Sequence, residues 1–254
     1  HNSYATYNGY ESYQQSLNDL LLQTQEAIDN DTDVIYWPEN ALDPYIVNIG
    51  KNTYEQQVQE AVDGWGIPLI TGVTIREYYN PASDSLPAIV RDRDSQRPWK
   101  VFNAAAGFYP EQPKQIYKKM RLVPLVEKLP FGPFLVRKKL FGIDWEDWTL
   151  FGRGEKLTQF PVQVEPEGST VAPALICYDS AYPELFWETK NPDAGYFAIV
   201  TNDGWWGNSS GHVQHFALSK LRAVESGKYI VRAANNGISG ILKPWGDALE
   251  ETEY

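Results

Sequence analysis

Short apolar runs set apart by helix-length segments constrain this 254-residue chain more than any other feature. "DVIYWPE" (33–39), "IPLITGVTI" (67–75), "KVFNAAAGFY" (100–109), "TVAPALICY" (170–178), "GYFAIVTND" (195–203) and "YIVRAAN" (229–235) are rich in branched and aromatic side chains. Each is too short for a core helix and reads as a buried strand. The first is expected to stop at Pro38, and "SGILKPWGD" (239–247) supplies a further strand. Helical spacing appears between the runs: Leu17, Leu20, Leu21 and Ile28 share a face in 11–30, and 52–64, 182–190 and 211–227 also read as helices. Residues 79–98 are polar and predicted as a hairpin tip or loop, and 111–154 as mostly loop. Alternation of this kind, with internal hairpins, predicts one layered α/β domain over 1–254. The chain opens on a Tyr-rich coil and a helix, so the first strand of such a sheet is expected upstream of His1.

The formal charge of −11 argues against a nucleic-acid partner, which would require Lys and Arg in clustered excess. No apolar run approaches the roughly 20 residues that span a bilayer. As it stands the chain is expected to be soluble, an excerpt of something larger. Aromatic residues reach 14%, which suits either an apolar ligand site or a well-filled core. The single cysteine, Cys177, has no partner for an internal disulfide. No cofactor is expected.

Three segments at predicted strand ends carry chemistry: "YWPEN" with Glu39, "YKKMRLVP" with Lys118 and Lys119, and "LICYD" with Cys177. Loops at strand ends are where α/β sheets build sites. A cysteine nucleophile needs a base to form thiolate. The histidines are only His1, His212 and His215. His212 and His215 have the spacing of a metal pair on a helix but lack a third ligand, and a helix start and a hydrogen-bonding residue account for them. No metal is assigned. Glu39, behind Trp37 and Pro38, can serve as base instead, since partial burial raises a carboxylate toward the working range of a general base. Lys119 then has a role beside the oxyanion of a tetrahedral intermediate, together with the backbone N–H of Tyr178. Taken singly, each has a plain structural account: a small core thiol, a cap or surface carboxylate, a solvated lysine pair. Their coincidence at three strand ends is what points to acyl transfer.

These residues resemble the Glu–Lys–Cys triad of the nitrilase (carbon–nitrogen hydrolase) superfamily, and the likeness extends over about 11–247. "TNDGWWG", which contains Trp206, and "RAVESGKYIVRAANNGISG" are similar to the stretches that follow its cysteine. The finer resemblance is to the nitrilase-like domain of apolipoprotein N-acyltransferases, whose lysine segment reads like Tyr117, Lys119, Leu122, Val123 and Pro124 here, with Glu127 standing where that family has a second glutamate. The resemblance implies an α-β-β-α sandwich. It further implies a periplasm-facing domain on a bacterial inner-membrane helix bundle absent from this chain. That family moves an acyl chain from a phospholipid to the N-terminal amine of a lipoprotein through a cysteine thioester. Glu39, Lys119 and Cys177 would be catalytic, with Glu127, Tyr178, Asp179 and Trp206 supporting them or binding substrate. Asp179 departs from the glutamate common in the acyltransferases and leans toward soluble amidases, which would use the same triad with water as acceptor. A silent binding domain is disfavoured by retention of all three triad residues. The segment 127–148 mixes Phe131, Phe134, Leu135, Val136, Leu140 and Phe141 with Arg137, Lys138 and Lys139. It is expected either to form a local core or to meet a lipid surface.

Overall fold

A computed structural model describes residues 13–47 (backbone only at 43–47), 53–82, 84, 96–128, 151–164, 168–187, 191–207 and 209–253. Most of the 127–148 segment therefore lies outside the described residues. Helix α1 (Tyr13–Ala27) leads into β1 (Ile35–Val47), then α2 (Thr53–Trp65), β2 (Leu69–Tyr78), β3 (Trp99–Tyr109) and β4 (Gln112–Lys118). The second half holds β5 (Gln159–Val164), β6 (Gly168–Ile176), β7 (Tyr196–Asn202), α3 (Ser210–Ser226), β8 (Tyr229–Asn235), β9 (Gly240–Leu242) and β10 (Ala248–Glu251). The first group forms a four-stranded sheet in the order β1-β2-β3-β4, and the second a six-stranded sheet in the order β10-β9-β8-β7-β6-β5. Parallel pairing joins β1 to β2 and β6 to β7 to β8, and the other neighbours are antiparallel. No described helix is long and apolar enough to cross a membrane.

Strand parity builds the layers. On β3, Phe102, Ala104, Ala106 and Phe108 pack with Leu17 of α1 and Val58 and Val62 of α2. Ala105 and Tyr109, on the opposite face, join the core shared with Ala174, Ile176, Ala198 and Val200 of the second sheet. β1 accordingly packs against β7 and β8, and β3 against β6. β7 is buried from Phe197 through Asn202, as a central parallel strand covered on both faces must be. On the outer side of that sheet α3 buries Phe216 and Ala223. Ser209 caps its start by accepting a hydrogen bond from Gly211 N at 3.3 Å. Gly227 ends it in the left-handed conformation, φ 63°.

Three expectations need correction. β1 does not stop at Pro38 but runs on past a bulge to Val47. Gln112–Lys118 is a strand rather than loop, because it pairs antiparallel with β3. The helix expected at 182–190 is replaced, over its described part, by a 3₁₀ turn at Pro183–Leu185, which follows another at Cys177–Ala181. Pro183 opens that second turn, and its missing N–H cannot extend the first.

Candidate active site

Glu39 sits at the bulge of β1. Trp37 pairs with Thr71 and Leu42 with Val73, so the chain between them loops out of register, with Asn40 at φ 57°. Gly72 makes room for it. A Cβ there would fall 2.4 Å from Glu39 Cα and 2.6 Å from the Pro38 carbonyl oxygen. The bulge re-aims the Glu39 side chain, the usual consequence of such an insertion. Glu39 is therefore inside an irregular strand, not at a strand end as its sequence suggests.

Lys119 follows β4 directly, and its N–H bonds Asn103 O at 2.9 Å. Its ammonium is 1% exposed and lies 2.9 Å from Glu127 Oε1 and 3.4 Å from Glu39 Oε1. Asn103, on the inner face of β3, donates from one amide nitrogen to both carboxylates, at 2.7 Å to Glu39 and 2.9 Å to Glu127. Val123 N donates to the other Glu127 oxygen at 2.8 Å, and Asn202 N of the second sheet to the other Glu39 oxygen at 2.9 Å. Burial disfavours the Lys119 ammonium, but Glu39, Cys177, Glu127 and Asp179 outweigh that cost and hold it above the ordinary lysine range. It is a fixed positive charge.

Cys177 directly follows β6 and begins the 3₁₀ turn, with φ 44°. A non-glycine residue there is strained and persists only where its surroundings hold it. Burial pushes the thiol up to about 12, Glu39 adds to the rise, and Lys119 and a hydrogen bond from Thr201 oppose it. At neutral pH the sulfur therefore keeps its proton. Glu39, Lys119, Glu127, Cys177, Tyr178 and Trp206 all line one cavity of about 760 Å³.

Asp179 is fully buried and is not in that lining. It accepts from Tyr117 Oη at 2.8 Å, Arg121 N at 2.8 Å and Ile176 N at 3.2 Å. It thus ties the cysteine turn to the chain leaving β4. Tyr178 packs edge-on against Tyr182, ring centroids 5.4 Å apart. Trp206 is 51% exposed and covers Gly211, where a Cβ would meet its ring at 2.6 Å.

Sequence reasoning missed a second network below the cysteine turn. Asp203 and Arg232 are buried and paired at 2.6 Å, and Asp203 also holds His215 Nδ1 at 2.8 Å. His215 reaches the turn through its other nitrogen, 3.0 Å from Ser180 Oγ. His215 is thus taken up with Asp203 and Ser180. Among the described residues no three His, Cys, Asp or Glu side chains gather as a metal site. The clue in the sequence was Asp203 closing "TND" at the end of an apolar strand, where a charge needs a partner.

The sequence matches the carbon–nitrogen hydrolase family over residues 5–251. The chain belongs to the carbon–nitrogen hydrolase family. This family member is 30% identical over 225 residues to the apolipoprotein N-acyltransferase of Chlorobaculum tepidum, covering 87% of this chain and 41% of the relative. It is also 30% identical over 230 residues to the apolipoprotein N-acyltransferase of Pseudomonas aeruginosa PAO1, covering 87% of this chain and 38% of that protein. The chain thus spans about two-fifths of the length of these curated relatives. Among solved structures, Nit3 of Saccharomyces cerevisiae, from branch 10 of the nitrilase superfamily, superposes with a TM-score of 0.65 at 18% identity, over 94% of this chain and 80% of that one. A cysteine-to-alanine mutant of a Nesterenkonia amidase from the superfamily gives 0.61 at 16% identity, over 95% and 81%. The two-sheet α/β fold of this carbon–nitrogen hydrolase chain is thus the nitrilase fold.

Proposed function

We propose that this chain is the catalytic domain of an apolipoprotein N-acyltransferase, carried in the full protein by inner-membrane helices and facing the periplasm. It moves a fatty acyl chain from a phospholipid to the N-terminal amine of a diacylglyceryl-cysteine lipoprotein. The observation that carries the reading is the Lys119 ammonium held between Glu39 and Glu127 in the cavity that also receives Cys177. The names of the relatives supply the acyl transfer and its apolipoprotein nitrogen acceptor.

In the first half-reaction Glu39 takes the Cys177 proton as sulfur attacks the donor's ester carbonyl. Lys119 and the Tyr178 N–H stabilise the oxyanion. The C–O bond breaks, the proton passes to the departing lysophospholipid, and a thioester remains on Cys177. In the second, the acceptor amine attacks that thioester, loses its proton to Glu39, and the thiol is restored. Glu127 keeps Lys119 oriented through both steps. Trp206, half-exposed at the cavity, together with Val126, 48% exposed, offers apolar surface for an acyl chain.

The test is intact mass after incubation with phospholipid. One acyl mass should appear, hydroxylamine should remove it, and an amine-bearing diacylglyceryl peptide should accept it. Cys177→Ala should acquire nothing. Release of free fatty acid at the same rate with and without the peptide would identify a water-using amidase. Labelling of Cys177→Ala would end the thioester reading.

A further inference from the structure

The cysteine turn contains a proton count that restricts His215. The Cys177 carbonyl oxygen lies 2.6 Å from Ser180 Oγ, and oxygens this close need a proton between them. A carbonyl has none to give, so the Ser180 hydroxyl donates to it. That hydroxyl proton is then spent, and the Ser180 lone pairs face His215 Nε2 at 3.0 Å. The same nitrogen is 3.3 Å from the Cys177 carbonyl oxygen. Both neighbours of Nε2 are acceptors, so Nε2 must carry a proton. On the other side of the ring, Nδ1 is 2.8 Å from Asp203 Oδ1. Burial pushes the Asp203 carboxyl up, but the His215 hydrogen bond and Arg232 outweigh it and hold it below its ordinary range. An ionised carboxylate only accepts and the Arg232 guanidinium only donates, so Nδ1 is held in either form of the ring, and Nε2 is the nitrogen whose proton its neighbours fix. The charged groups touching the ring among the described residues are Asp203 from the end of β7 and Arg232 of β8, whose Nη2 is 3.2 Å from Nδ1. The turn itself brings Cys177, with Glu39 and Lys119 beyond it.

We propose that His215, holding a proton on Nε2, is a positioning residue that acts through Ser180 to clamp the Cys177 carbonyl. The clamp fixes the 177–178 peptide plane. This rests on the reading of Cys177 as nucleophile. A peptide plane is rigid and trans, so holding its oxygen points its N–H the opposite way. That N–H belongs to Tyr178, in the first turn of the 3₁₀ helix, where it has no intrahelical acceptor. The clamp therefore aims the oxyanion donor and holds Cys177 at its left-handed φ. His215 touches neither substrate nor sulfur in this role.

Two reagents separate this role from a structural one. With p-nitrophenyl butyrate the Cys177 sulfur bonds to the acyl carbon, the ester C–O bond breaks, p-nitrophenolate leaves and Glu39 takes the thiol proton. An oxyanion forms on the way. With iodoacetamide the sulfur displaces iodide from a saturated carbon, and no oxyanion forms. His215→Asn and Ser180→Ala should slow acylation on the order of 10- to 100-fold, less than the loss on deleting an oxyanion donor outright. Alkylation should change less than about threefold, scaling with the nucleophile alone. His215→Gln sets an amide N–H near the Nε2 position and should recover most of the acylation rate. Equal slowing of both reactions in a folded Ser180→Ala, or no slowing of either, overturns the clamp, as does His215→Gln behaving like His215→Asn. Failure of either reagent to label Cys177 in the wild-type chain instead overturns the assignment of the nucleophile.

Discussion

Asn103 divides one amide nitrogen between two carboxylates while Lys119 bridges the same pair. Removing the positive charge would leave Glu39 and Glu127 facing each other in a buried site, at a cost of several kcal/mol. Lys119→Met is therefore expected to lower the thermal midpoint as well as activity. Glu39→Gln keeps the shape and, with its oxygen toward Asn103, turns its NH2 toward the Asn202 N–H. It should lower the midpoint less than Lys119→Met does, Glu127 remaining beside Lys119, while acylation of Cys177 falls roughly 10²- to 10⁴-fold, the range for loss of a general base. Intact-mass time courses and thermal melts of both variants check this; a folded Glu39→Gln that acylates normally removes Glu39 from the base role. Asp179 gives a pH prediction. Burial pushes its carboxyl up to about 6 from an ordinary 3.8, against Lys119 and the hydrogen bonds from Tyr117, Ile176 and Arg121. The folded chain thus binds this proton more tightly than the unfolded one. Asp179 adds stability as pH falls from about 6 to 4 and gives it up as pH rises through that window. Those hydrogen bonds favour the ionised carboxylate, so protonation weakens them and the turn that carries Cys177 loosens. Acylation should show an acid limb near pH 6 while the melt shows no parallel loss from this group. Coincident loss of both would assign the limb to unfolding.

Gly72 is the element-scale counterpart of Glu39. The bulge of β1 rests on it, and the atoms crowding a Cβ there are backbone atoms that cannot swing aside. Gly72→Ala should cost roughly 2 kcal/mol, lowering the midpoint by about 4–8 °C. It should also displace Glu39 and cut acylation, whereas Gly64→Ala, with open space at its Cβ, should do neither. The sequence disclosed β2, β3, β7, β8 and α3 because long apolar runs and 3.6-residue spacing are local signals. It concealed β4, since "QPKQIYK" has no apolar alternation and is a strand only because β3 offers it a partner. The bulge was concealed for a related reason: Pro38 reads as a strand end, and the glycine that accommodates the continuation lies on the neighbouring strand. Glu39, Lys119 and Cys177 were legible as chemical types at run ends. Asn103 was not, because a polar residue inside "VFNAAAGF" gains its meaning from strand parity, which places it on the same face as Ala105. His215 was visible as one of a spaced pair, but its work is set by Asp203 and Ser180, far away in sequence.

At the scale of the whole molecule the site belongs to neither sheet. Glu39, Asn103 and Lys119 come from the four-stranded sheet or its edges, and Cys177, Asn202 and Asp203 from the six-stranded one. The cavity between them opens past Trp205, Trp206 and Val126, each about half-exposed. Exposed apolar side chains gathered at a cavity mouth mark a contact surface. Replacing Trp206 and Val126 together with Ser should lower acylation from phospholipid vesicles severalfold and leave p-nitrophenyl butyrate nearly unaffected. Equal losses with both donors would make the rim a structural element only. The Asn202-to-Glu39 and Tyr36-to-Tyr196 hydrogen bonds cross from one sheet to the other, and Tyr117-to-Asp179 joins β4 to the cysteine turn. Until those contacts close, Cys177 is an ordinary, accessible thiol titrating near the free value of 9.0, and afterwards it is a guarded one pushed up to about 12. The cysteine is in that sense a clock for assembly. Brief pulses of a thiol-alkylating agent during refolding should mark chains at early times far more heavily than those whose halves have met, where alkylation is slower. Of two fragments, one ending after Lys128 and the other starting before Phe151, the second would keep an open, alkylatable thiol, and acylation by an ester would appear only on mixing them.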